Sequence, residues 1–132
     1  MDSLTISSCE DDATLTFCAL EGDYCRAELK SIYLSAQVNV TSLDRVHFHR
    51  LIEYFESMQK DWRGWNGVRE WSSLEREFSL SATSDGLGHV AVQVSFRPIY
   101  GWWSADATLV LDVSKIDRLP QQLRKFFDED GA

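Results

Sequence analysis

Apolar and polar residues alternate along the first part of the chain, and this period of two predicts β-strands before any other property is considered. Leu4 to Ser7 and Ala13 to Leu20 read as strands joined by the polar turn Cys9-Glu10-Asp11-Asp12, a hairpin. Glu21-Gly22-Asp23 supplies a second turn. Tyr24 to Leu34 then reads as a half-exposed strand, with Arg26, Glu28 and Lys30 on one face and Cys25, Ala27 and Leu29 on the other. The apolar parity shifts afterwards to Leu34, Ala36, Val38 and Val40. That shift predicts a bulge or bend near Ile32 and Tyr33 before a further strand segment, so that strands occupy residues 4–40.

The period then lengthens. Leu43, Val46, Phe48, Leu51, Ile52, Phe55 and Met58 fall on one helical face and predict a helix over residues 42–61, with Thr41 or Ser42 as cap and Asp44 and Arg45 in its first turn. Arg63-Gly64-Trp65-Asn66-Gly67 breaks this pattern with two glycines. Alternation returns in Leu74 to Thr83, His89 to Arg97 and Ala105 to Val113, an antiparallel meander over residues 74–113. In the first of these strands Leu74, Phe78, Leu80 and Ala82 face one way. Ser84-Asp85-Gly86-Leu87-Gly88 joins the first pair, and Pro98, which lacks a ladder donor, ends the second. Ser114 to Arg118 turns the chain, and Pro120 opens a last helix, residues 116–128, with Leu119, Leu123, Phe126 and Phe127 inward. The acidic tail from Asp128 lies at that helix's negative end, which predicts fraying. The expected fold is α+β in a single domain, residues 1–132: a mainly antiparallel sheet of about six strands with both helices on one face.

Charge narrows the partners. Acids outnumber bases 21 to 13, for a net charge of −8 and a pI near 4.7, so the chain is expected to repel nucleic acid and to attract a basic protein. Apolar residues make up 44% of the sequence, too many for a disordered chain. Cys9, Cys18 and Cys25 are odd in number and form no C-x-x-C, which reads as reduced thiols and a cytoplasmic protein. The N-terminus lacks the pattern of a signal peptide and no run is apolar enough to span a bilayer, so no membrane association is expected.

Little catalytic chemistry is marked. His47 and His49 lie two apart on the expected helix and diverge too far to share a metal. His89 would act as a base only if Asp85 oriented it, and no nucleophile is marked beside it. Glu75 and Glu77 share a strand face, and Glu53 and Glu56 lie three apart on the helix, pairs that an acid-rich chain produces by chance. G-x-S-x-G, G-x-G-x-x-G, a Walker loop and H-E-x-x-H are all absent from the sequence. No catalytic residue, metal or cofactor is therefore expected. Two segments are unusual in their aromatic and arginine content: Trp62, Arg63, Trp65, Arg69 and Trp71 in one, Tyr100, Trp102 and Trp103 in the other. These residue types anchor protein interfaces. Should the segments meet in space they form a patch; alternatively the tryptophans cap the sheet. His89 completes the set of binding candidates.

Gly67, the run Trp71-Ser72-Ser73-Leu74-Glu75, the turn Asp85-x-x-Gly88-His89-Val90, Trp103, and Leu123 with Phe126-Phe127 together resemble a family of small, functionally uncharacterised bacterial proteins common in actinobacteria. The resemblance covers the chain from Gly67 onward and carries turn and core signatures, which imply no activity. In size and charge the chain is similar to the immunity proteins of bacterial polymorphic toxin systems. The first expectation is a non-catalytic protein-binding domain, in its sharpest form an immunity protein that neutralises a basic toxin. One alternative is a small-ligand-binding or enzymatic domain with a pocket between sheet and helix, near His89 or Tyr54. Another is a subunit that forms a homodimer through an exposed strand or the aromatic patch.

Overall fold

Eight strands form rather than about six, and they divide between two antiparallel sheets instead of one. The structure is a computed structural model and describes residues 2–129. The first sheet is a meander of β1 (Ser3–Ser7), β2 (Thr14–Glu21), β3 (Tyr24–Ser31) and β4 (Leu34–Thr41) in sequence order. Helix α1 (Val46–Lys60) follows. The second meander is β5 (Arg69–Ser72), β6 (Phe78–Ser84), β7 (His89–Phe96) and β8 (Ala105–Asp112), and the chain closes with α2 (Val113–Arg124) and a π-helical turn, Lys125–Glu129.

The two extra strands come from two reversals. The segment at Ile32 and Tyr33 is a two-residue hairpin turn closed by the Ser31–Leu34 pair, so β4 runs back along β3 in unbroken register. Neither residue is a usual turn former, which is why the sequence shows only a change of parity there. The run from Leu74 to Thr83 is likewise not one strand. Ser73 donates its hydroxyl to Phe78 O and accepts the Phe78 N–H, and Arg76 takes a positive φ of 60°, so residues 73–77 turn the chain from β5 into β6. Leu74 is left exposed on that turn instead of facing the core with Phe78.

The helices also begin elsewhere than expected. At the start of α1 the cap position is Arg45, in the left-handed region (φ 62°), rather than Thr41 or Ser42. Ser42 still serves the helix, because its hydroxyl accepts the His47 N–H, while Asp23 accepts the N–H groups of Asp44 and Arg45 from the β2–β3 turn. Helix α2 starts before Pro120, with Asp112 as N-cap accepting the Lys115 N–H at 3.0 Å. Pro120 lies inside it and is buried, so the Ile116 carbonyl loses its usual donor without ending the helix. In the acidic tail, Asp128 is tied to His49 (2.8 Å) and Arg124 (3.9 Å), while residues 130–132 lie outside the described part.

Both sheets turn their apolar faces to one core. Phe17 of β2 and Phe78 of β6 meet across the sheets at 5.7 Å, Phe127 packs edge-on and Phe126 tilted against Phe17, and Phe127 stacks on Phe48 of α1 at 4.7 Å. The sheets are joined at two corners. At one, Cys9 N–H donates to Val110 O and Val110 N–H to Ser8 Oγ. At the other, Leu74 N–H donates to Thr41 O, and the buried Glu77 carboxylate accepts Thr41 N–H at 2.9 Å. The second corner, with residues 97–104, is called the loop end below; the first, with the 85–88 turn, the turn end. Among the described residues no helix is long and apolar enough to cross a membrane.

Candidate functional site

The 62–68 loop and the 97–104 loop lie at opposite ends of the second sheet, while Glu70 and Trp71 on β5 reach the same cleft as Arg97. Gly64 has φ 119°, and a Cβ there would come within 3.1 Å of Gly86 Cα, so the 62–68 loop rests against the β6–β7 turn. The 97–104 loop leaves from the other ends of β7 and β8, eight-residue strands whose length separates the loops by about 23 Å. They do not make a common patch.

Three of the candidate side chains in the first segment, Trp65, Arg69 and Trp71, are folded into the protein. Trp71 is a β5 residue only 8% exposed; its ring meets Phe78 edge-on at 5.2 Å and its indole N–H donates to His47 O. Trp65 packs partly buried against the core, with the Arg69 guanidinium 4.3 Å above its ring. Arg69 also donates to Ser57 O and Ser57 Oγ and pairs with Asp61 at 2.6 Å. Tyr54 donates its hydroxyl to Arg69 O, and burial, with Glu70 adding to it, pushes its phenol above the usual range. The other two candidates, Trp62 and Arg63, are exposed and stack on each other at 5.0 Å, and Val68 is exposed nearby.

The second segment is turned outward. Ile99, Tyr100, Trp102 and Trp103 are all exposed, Tyr100 at 95% and Trp102 completely. Gly101 lies close against Pro98 and Trp103, so the loop is braced on itself while its larger rings point to solvent. Arg97 leads into this loop and also borders a cleft of about 470 Å³ on the outer face of the second sheet, with Glu70, Ser72, Arg76, Ser79 and Ser81. The register explains the serines: Ser72 pairs with Ser79 and Glu70 with Ser81, all at outward positions. Arg76 and Arg97 have no ion-pair or side-chain hydrogen-bond partner among the described residues. Neither they nor the serines stood out in the sequence, although the outward hydroxyls at 79, 81 and 83 were the available signal.

The remaining candidates are dispersed. His89 is exposed on the turn at the other end, with Nδ1 3.1 Å from Asp85 Oδ2. Asp85 accepts the Leu87 and His89 N–H groups as well, and these bonds, Leu87 foremost, hold its carboxyl below the ordinary carboxylate range. No serine or cysteine hydrogen bonds to the His89 ring among the described residues. His49 pairs with Asp128, while His47 is partly buried with Nδ1 unbonded. Glu75 and Glu77 do not share a strand face: they sit in the β5–β6 turn, Glu75 outside and Glu77 buried with Oε2 unpartnered. Glu56 pairs with Arg124. Among the described residues no three metal-ligating side chains gather to hold an ion.

Among the described residues these side chains bring together no acid, base and nucleophile. Comparison with protein families gives a match over residues 6–130, from β1 past the closing π turn. The chain belongs to the family of unknown function DUF6228. The match takes in both sheets, so it extends well beyond the stretch from Gly67 onward that the sequence signatures covered. No curated protein and no solved structure matches the chain.

Proposed function

We propose that the chain is a non-catalytic protein-binding domain that docks through the 97–104 loop. The observation that carries this is the complete exposure of Trp102 beside Tyr100, on a loop braced at Pro98 and Gly101. Large rings held in water are costly unless a partner covers them, and they supply contact area at low entropic cost. The net charge of −8 steers a basic partner toward the domain. In its sharpest form this is an inhibitor of a cationic toxin, the role of bacterial immunity proteins, acting in the cytoplasm.

The test is quantitative capture with tagged wild-type protein beside Trp102→Ala and Tyr100→Ala. A basic protein retained in stoichiometric amount by the wild type and lost from both variants supports the reading, as does slower association in added salt. Equal retention by all three sinks it. A second reading rests on the cleft between Arg76 and Arg97: two unpaired guanidinium groups above serine hydroxyls suit a small anionic ligand. Calorimetric titration with small carboxylates and phosphates, repeated on Arg97→Ala, tests it.

A further inference from the structure

Each four-stranded sheet has two edges, and three of the four are blunted. The β1 edge is short and Lys115 Nζ donates to Ser7 O along it. The β5 edge lies under α1, where Tyr54 donates to Arg69 O. On β8 the Val110 main chain is bonded to Ser8 and Cys9, and Asp106 puts a charge on the rest. On the β4 edge only Thr41 is covered in this way, by Glu77 and Leu74, and among the described residues Ser35 to Asn39 carry no such device. From Ile32 to Leu43 the sequence holds no charged residue, no proline and no glycine, and β4 pairs with β3 without a bulge. Bare, regular edges of this kind are templates for another strand.

Alternation fixes which main-chain groups of β4 are open. Thr41 turns its N–H and C=O away from β3, toward Glu77 and Leu74. By the antiparallel pattern Ser35, Gln37 and Asn39 turn theirs outward too, and among the described residues no backbone partner meets them. We propose that a second copy of this chain pairs with β4 in antiparallel fashion about a two-fold axis at Gln37. In that register Ser35 faces Asn39 of the second copy and Gln37 faces Gln37, so every open group is used, with about six interchain hydrogen bonds. A slip by one residue would turn these groups away from each other.

Side chains fit the same register. Leu34 and Ala36, only partly buried within one chain, come beside Val40 and Val38 of the second copy. The tip of the copy would come opposite Thr41, whose main chain is already bonded to Glu77 and Leu74, so strand pairing ends at Ser35 and Asn39. The side-chain contacts form twice, as an isologous interface requires. Two chains of charge −8 repel, yet this strand is neutral, and Glu28 and its copy, on the strands behind, stand three strand spacings apart, about 14 Å and beyond the screening length at physiological salt.

The experiment measures mass by light scattering over a concentration series, on the full chain and on Gln37→Lys, an exposed change that sets two ammonium groups face to face. A second variant, Gln37→Cys in a Cys9→Ser background, probes geometry. Hydrogen-bonded antiparallel partners stand about 5.5 Å apart at Cα, within disulfide reach, whereas Lys30→Cys, on β3, stands at least three strand spacings, about 14 Å, from its copy. We expect a dimer that weakens at least tenfold in Gln37→Lys and cross-links through Cys at 37 but not at 30. A wild-type monomer at all concentrations overturns the proposal. So does a dimer indifferent to Gln37→Lys that fails to cross-link at 37.

Discussion

The segments 62–71 and 97–104 are built from the same residue types, tryptophan, arginine and glycine, and they meet opposite fates. In the first, two polar handles are used within the chain, the Trp71 indole on His47 O and the Arg69 guanidinium on Ser57, Asp61 and the Trp65 ring, while the Trp65 indole nitrogen is buried without a partner among the described residues. In the second, Tyr100, Trp102 and Arg97 bond to no other side chain among the described residues and face water. The proposed docking surface is the stretch whose own fold leaves these polar groups unused.

The largest effect that would sharpen this contrast is in the first segment. Trp71→Ala empties a core position and is expected to cost about 3–5 kcal/mol in denaturant unfolding. Gly64→Ala forces an L side chain into a φ of 119° against Gly86 and should cost about 1–3 kcal/mol, with the Trp62 environment changing in fluorescence. A smaller effect is acid-dependent. The Asp85 carboxyl titrates below its ordinary 3.8, so its contribution to the 85–88 turn is complete above that pH and lost as pH falls through the lower folded value. Amide signals of Leu87 and His89 should therefore shift in strong acid, Asp85→Asn should abolish the response, and loop-end signals should stay still. The smallest effect belongs to Trp102→Ala, which should change stability by no more than about 0.5 kcal/mol while removing the proposed partner. A large loss of stability there would erase the distinction between the two segments.

Much of the fold was legible in the sequence. Strict alternation located β1, β2, β7 and β8 within a few residues, and the Phe48 to Met58 stripe located α1. The failures are local and physical. Ile32-Tyr33 makes a tight turn without the glycine or asparagine that announces one. Leu74 matches the parity of Phe78 and Leu80, and that coincidence hid the turn built by Ser73 and Arg76. Pro120 looked like a beginning because its cost inside a helix is normally prohibitive. Of the candidate site, aromatic content was visible, but the burial of Trp71 and the distance between the loops depend on long-range pairing that no local pattern encodes. The same holds for the cleft between Arg76 and Arg97, whose arginines come from separate turns.

The bond between Val110 N–H and Ser8 Oγ, 102 residues apart, also sets a timetable for synthesis. Each meander closes by local hairpins and can form as it emerges from the ribosome. The corner at Ser8 and Cys9 must wait for β8, about 5 to 20 s later at ordinary elongation rates. Over that interval the finished first sheet has no opposite sheet to cover Phe17 and Leu29, so a nascent chain stalled between α1 and β8 should be the species most readily bound by a chaperone.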